Sequence, residues 1–247
     1  MPTSELSAPT GHSARAVPPP PAGGEVPDLE FSKKYRREHA LEYFWKHERG
    51  FSRRFSTVLE RHMARRALAR AGHPRTVLDL PCGSGRFWPV LAERGDRVIY
   101  AADLNQPMIN VGRQMRPPAL VARVQTFEAS AFAVPRPDDF VECVFSMRLM
   151  HHIEEPEHRV RMLREFARLA SQTVLVSLWV DGNYQAWRRR VRDQRLPRPA
   201  VPGCRNRLVL PRGVFEEEIA EAGLRVVDRV DFLPLYSMWS TYVLAVK

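Results

Sequence analysis

The run Val77-Leu78-Asp79-Leu80-Pro81-Cys82-Gly83-Ser84-Gly85-Arg86-Phe87 joins an acidic residue to two glycines one residue apart. Glycines in such a turn let the backbone approach a ligand closely, and a helix beginning just after it aims free N–H groups at that ligand. A second acid, Asp103, comes eighteen residues after Gly85, a placement from which a carboxylate can bind both hydroxyls of a ribose. A third group, Phe127-Glu128-Ala129-Ser130, offers polar atoms to an adenine amino group. A fourth, Ser146-Met147-Arg148-Leu149-Met150-His151-His152, carries two histidines, the side chains that exchange protons near neutral pH. The four groups together could bind a nucleoside-containing ligand and move a proton at its edge. Cys82 reads as a small packing residue of the turn rather than a nucleophile.

These groups need a frame, and the hydrophobic pattern supplies one. Short apolar runs predict strands over Thr76–Leu80, Arg97–Ala102, Val121–Phe127, Phe140–Ser146 and Thr173–Val180. Between them, Arg86–Arg94, Pro107–Met115 and Pro156–Leu169 have helical texture. The last of these aligns Val160, Leu163, Phe166, Ala167 and Ala170 on one face. Strands alternating with helices make a parallel, doubly wound sheet, and ligands of such sheets sit beyond the carboxyl ends of the strands. All four chemical groups fall there. A further helix over Val214–Ala222 precedes two strands, Arg225–Phe232 and Ser237–Val246, with no helix between them. That pair must be a hairpin, which puts one antiparallel strand at the sheet edge.

On these residues the segment from about 76 to 180 resembles the class I S-adenosylmethionine-dependent methyltransferases. The family's first motif reads acid-x-Gly-x-Gly-x-Gly, with an acid after strand two and a Leu-His-His-like segment after strand four. Here Pro81 stands in place of the first glycine, and proline has no N–H and a φ fixed near −65°. The resemblance implies a Rossmann-like α/β fold with a seven-stranded sheet, order 3-2-1-4-5-7-6, strand 7 antiparallel. It implies S-adenosylmethionine as cofactor, with Gly83 and Gly85 packed under it and Asp79 positioning the methionine amine. Asp103 would bind the ribose and Glu128 and Ala129 flank the adenine, while Pro81, Leu104 and Ser146 complete the contacts. His151 and His152 become candidate general bases for an acceptor that starts protonated. A dinucleotide-binding dehydrogenase is the competing reading, but its third glycine would fall on Trp88, where an indole fits poorly. The Asn/Asp-Pro-Pro-aromatic stretch of enzymes that methylate exocyclic amines of nucleic acid is replaced here by Ser146-Met147-Arg148-Leu149.

Composition bounds the rest. At 247 residues the chain is long enough for a single large core without disulfides, and its three cysteines form no C-x-x-C pair that would suggest a structural zinc. Absence of an eighteen-residue apolar run and of a secretory-signal layout predicts a cytoplasmic protein. Residues 1–27 hold seven prolines and no aromatic residue, which predicts a disordered leader. Residues 28–74 read as two helices forming an N-terminal lid. The methyltransferase domain is expected over 75–247, with a basic insertion at 181–212. The net charge is +10, and the stretch from Arg188 to Arg212 holds nine arginines against one acid, Asp193. Arginine forks bind phosphate and carboxylate, so Arg148, Arg188, Arg189 and Arg192 are candidate contacts to an anionic acceptor. The expected acceptor is a small or lipid- or sugar-linked anionic molecule. Contact with an anionic membrane surface is an open alternative, and nucleic acid is not favoured, because only Tyr184 and Trp187 interleave aromatic rings with this charge. An RNA or protein methyltransferase and a non-catalytic partner subunit are the remaining readings, and the oligomeric state is open.

Overall fold

The computed structural model describes residues 51–195 and 208–247. The proline-rich leader, the first expected N-terminal helix and the part of the basic insertion over 196–207 lie outside the described residues. The elements in chain order are α1 (Phe51–Arg70), β1 (Thr76–Asp79), α2 (Trp88–Leu91), β2 (Val98–Asp103), α3 (Gln106–Met115), α4 (Pro118–Val121), β3 (Val124–Glu128) and β4 (Val141–Ser146). After a 3-10 turn at Met150–His152 come α5 (Pro156–Leu169), β5 (Ala170–Trp179), α6 (Tyr184–Arg195), α7 (Arg212–Glu221), β6 (Leu224–Asp231) and β7 (Trp239–Val246).

Seven strands form one sheet in the order β3-β2-β1-β4-β5-β7-β6. The first five pair in parallel, while β7 runs antiparallel between β5 and β6. The antiparallel strand is therefore one in from the edge, not at it, because the hairpin folds back so that β6 takes the outermost place. Alternation along the strands feeds two cores. Leu78, Val144, Val174 and Tyr242 face a layer that holds Leu163 and Phe166 of α5 and Phe215 and Ile219 of α7. Val77, Ile99, Phe145, Leu175 and Val243 face Met63, Ala64, Ala67 and Leu68 of α1 together with Trp88 and Ile109. A two-residue period on each strand, meeting an apolar stripe on each helix, accounts for both layers.

Boundaries differ from the sequence expectation for local reasons. Val121 belongs to α4 and not to a strand, because Pro117 and Pro118 fix φ at the start of a turn, and the strand begins at Val124. The basic insertion opens with a helix at Tyr184, which the Asn183 side chain caps by accepting a hydrogen bond from the Ala186 N–H at 2.9 Å. α1 stops as its composition suggests: Gly72 takes φ +77° and the His73 N–H closes onto the Leu68 carbonyl at 2.9 Å.

Candidate cofactor site

The loop after β1 turns on two left-handed glycines, Gly83 at φ +53° and Gly85 at φ +68°, while the Leu80–Pro81 bond is cis. The positions that need glycine are thus the second and third of the motif, and Pro81 sits where no positive φ is required. Gly85 also has no room for a side chain, since a Cβ there would lie 2.5 Å from the Trp88 ring. Trp88 is fully buried beneath the loop, and Gly112 of α3 gives way to it on the other side. The loop is carried across the end of β2, where the Cys82 N–H donates to the Ala102 carbonyl at 2.8 Å.

Asp103 closes this arrangement. One carboxylate oxygen accepts from the Gly83 N–H at 2.9 Å and the other from the Asn105 N–H at 2.9 Å. Burial raises its pKa, and those two backbone donors hold the rise in check. Asp79, at the end of β1, is buried, and neither of its oxygens has a hydrogen-bond partner among the described residues. The Trp88 indole N–H approaches it without completing a hydrogen bond. Burial pushes the Asp79 carboxyl well above the usual carboxylate range, and the charge on Asp103 pushes it further. Two buried acids at neighbouring strand ends, one of them unsatisfied among the described residues, call for a cation or a donor. The same surroundings raise the Cys82 thiol well above its ordinary value, which suits a packing residue and not a nucleophile.

Known proteins share this frame. Residues 77–172 match the family described as a methyltransferase domain. Over these residues the chain is similar to a class I methyltransferase domain. The family depends on S-adenosylmethionine. Among curated relatives, the ubiquinone/menaquinone biosynthesis C-methyltransferase UbiE of Yersinia pestis bv. Antiqua (strain Antiqua) is 32% identical over 92 residues, covering 35% of this chain and 36% of that protein. The match thus spans about a third of the length of that relative. Among solved structures, magnesium protoporphyrin IX methyltransferase (ChlM) from Synechocystis PCC 6803 with bound SAH is similar in fold, with a TM-score of 0.69 at 11% identity over 89% of this chain and 100% of that one. An O-methyltransferase (NcsB1) from neocarzinostatin biosynthesis, in complex with S-adenosyl-L-homocysteine and 1,4-dihydroxy-2-naphthoic acid, has a TM-score of 0.53 at 22% identity over 70% of this chain and 49% of that one.

The residues around the glycine turn fit S-adenosylmethionine. The unsatisfied Asp79 carboxylate suits an ammonium group, Asp103 keeps lone pairs for hydroxyls, and the turn through Gly83 and Gly85 admits close approach. Around these, Leu104 leaves 43% of its surface exposed beside Asp103, an apolar face at the rim. Ala129 is buried, its N–H held by the Asp103 carbonyl at 3.1 Å, and Glu128 is exposed. Ser146 is buried at the end of β4, its hydroxyl unpaired among the described residues.

The acceptor side is arranged differently from any simple reading of its histidines. His151 is buried between two tryptophans, stacked on Trp179 with ring centroids 5.3 Å apart and edge-on to Trp239 at 4.9 Å. His152 is half-buried beside it, at 4.2 Å. Of the candidate acceptor arginines, Arg189 lies over the Trp179 ring at 5.3 Å and Arg148 over Trp239 at 5.1 Å, so both join this aromatic group. Arg188 and Arg192 are exposed on the outer face of α6, away from it. Sequence reasoning missed Glu60. This buried residue of α1 pairs with Arg86 of the glycine loop at 3.0 Å and with Arg148 at 2.8 Å, so it ties α1 to both edges of the site. A signal was present, since Glu60 shares the helical stripe of Met63, Ala64 and Ala67, where an acid is out of place unless paired.

Proposed function

We propose that this chain transfers a methyl group from S-adenosylmethionine to a small-molecule acceptor that carries negative charge or is linked to a lipid or sugar. The observation that carries the reading is the buried, unpartnered Asp79 carboxylate beside Asp103 at the mouth of the glycine loop. When bound, the cofactor supplies an electrophilic methyl carbon on a good leaving group. The protein's part is then to hold two reactants in line, a contribution worth about 7–11 kcal/mol of a barrier. Asp79 would neutralise the ammonium end, Asp103 fix the ribose, and the glycine turn let both come close. Arg189 and Arg148, on the indole faces that flank His151, would supply positive charge toward an anionic acceptor. His152 keeps an accessible edge, so a proton leaving an oxygen or nitrogen acceptor would go to it. The names of the relatives mention quinone, porphyrin and naphthoic acid, planar rings that suit an aromatic-walled site.

Calorimetry with S-adenosylmethionine and S-adenosylhomocysteine tests the first half of this reading. Both should bind to the full chain, and no heat with either would mean a non-catalytic fold. A methyl-radiolabel assay against fractionated cell extract tests the second. Label in a small-molecule or lipid fraction is expected, and label confined to RNA or protein would replace the acceptor class.

A further inference from the structure

Beyond the cofactor site, one surface gathers apolar side chains that the fold leaves in water. The tip between β6 and β7 holds Leu235 at 83% exposure, on a left-handed backbone at φ +62°, with Leu233 and Tyr236 also exposed. A leucine in that conformation is strained, yet it holds its side chain outward where burial offers no compensation. α6 is fastened to this tip, with the Tyr184 N–H donating to the Leu235 carbonyl at 2.9 Å and the Gln185 N–H to the Tyr236 carbonyl at 3.0 Å. Tyr184 stacks on Tyr236 at 5.7 Å, and Trp187 is 60% exposed beside it. A concavity of about 500 Å³ lies between helix and tip, lined by Tyr184, Ala186, Trp187, Arg190 and Leu235 among others.

The charge on the same face selects the occupant. Tyr184, Arg188 and Arg192 follow one another at a four-residue spacing, so the aromatic end of α6 continues directly into a cationic stripe. Arg190 and Arg192 are well exposed and, among the described residues, make long ion pairs, at 3.9 Å to Asp181 and 3.4 Å to Asp193. Such surface pairs contribute little and leave the positive field of the face intact. Aliphatic tips give nothing to a nucleic-acid base, whereas leucine, tryptophan and tyrosine flanked by arginine are the composition of a helix lying in a bilayer interface.

We propose that the face formed by α6 and the β6–β7 tip docks on an anionic phospholipid surface, with Leu235 and Trp187 entering the headgroup boundary and Arg188, Arg190 and Arg192 meeting the phosphates. The inner side of α6 carries Arg189 over Trp179, so the docked helix would be both membrane anchor and wall of the acceptor side. No helix among the described residues is long and apolar enough to cross a membrane.

The test is cosedimentation of the full chain with vesicles of phosphatidylglycerol and phosphatidylcholine, against vesicles of phosphatidylcholine alone, at low and high salt. Binding is expected only to the anionic vesicles, weakening as salt rises, because the phosphate contacts are screened. Leu235→Asp and Trp187→Ser should each lower vesicle affinity at least tenfold, as should the combined Arg188→Gln, Arg190→Gln, Arg192→Gln change. Thermal melting confirms that each variant is folded, a readout independent of any methyl transfer. The proposal is overturned if the wild-type chain ignores anionic vesicles, if Leu235→Asp binds them as well as wild type, or if single-stranded RNA competes all vesicle binding away.

Discussion

Asp79 concentrates the cost and the purpose of the site in one side chain. A buried carboxylate with no hydrogen-bond partner among the described residues is held above its ordinary pKa, so folding binds its proton more tightly than the unfolded chain does. The unfolded group ionises near pH 4, and the folded one only at higher pH. Stability from this residue is therefore complete below about pH 4 and falls as pH rises through the folded pKa. Asp79→Asn should accordingly stabilise the ligand-free protein at neutral pH, by about 1.4 kcal/mol for each unit by which folding raises the carboxyl's pKa, because the amide has no charge to desolvate. Denaturant titration at pH 7 and pH 4 measures this, and the gain should shrink at the lower pH. The same substitution should weaken S-adenosylmethionine binding, measured by calorimetry, because the neutral amide offers no charge to the ammonium group. Asp103→Ala weakens binding by a different route. It removes the acceptor for Gly83 and Asn105 as well as the ribose partner, and should lower cofactor affinity about tenfold or more, on the scale of a charge-assisted bond. Unchanged affinity would move the ribose elsewhere.

The glycine loop, α2 and α3 work as one element pair around Trp88. The sequence shows an indole where a dinucleotide fold needs its third glycine. In the structure that indole fills the space beneath the loop, with Gly85 and Gly112 yielding to it. Gly85→Ala must both strain a backbone at φ +68° and push a Cβ to 2.5 Å from the ring, so a loss of about 2 kcal/mol or more is expected in thermal or denaturant melts. Gly83→Ala meets nothing closer than 3.6 Å, at Met108, and should cost about 1 kcal/mol from its backbone alone. Melting curves that rank the two variants in the opposite order would refute this account of the loop. Strand and helix positions were legible at this scale because each is a local period. The α2 boundary was not: Arg86–Arg94 has helical texture, but only Trp88–Leu91 is helical, where the loop and Trp88 dictate the path.

At the scale of the fold, buried ion pairs join parts far apart in sequence. On one side of the sheet Arg159 of α5 pairs with Glu218 of α7, at 2.8 Å from Nε, and also caps the carbonyls of Ile153 and Glu154 just after the histidine turn. On the other, Glu60 gathers Arg86 and Arg148. Breaking such a pair strands a charge in the interior, and Glu218→Ala should cost about 3–5 kcal/mol in a denaturant melt. The exposed Arg164–Glu221 pair between the same two helices, at 3.0 Å, serves as control: Glu221→Ala should cost about 1 kcal/mol or less.

The sequence by itself determined the order of strands and helices, the glycine turn, the two acids and the basic segment, because period, turn chemistry and spacing are properties of neighbouring residues. Only the tertiary structure decided which of those side chains share a site. Arg188, Arg189 and Arg192 are nearly adjacent in sequence, yet one reaches the aromatic group and the other two face water, because successive residues on a helix point about 100° apart. Trp179, Trp239 and His151 come from three distant segments and meet because an antiparallel strand brings its first residue beside the last residue of β5. Long-range contact of that kind arises from packing, and no local pattern encodes it.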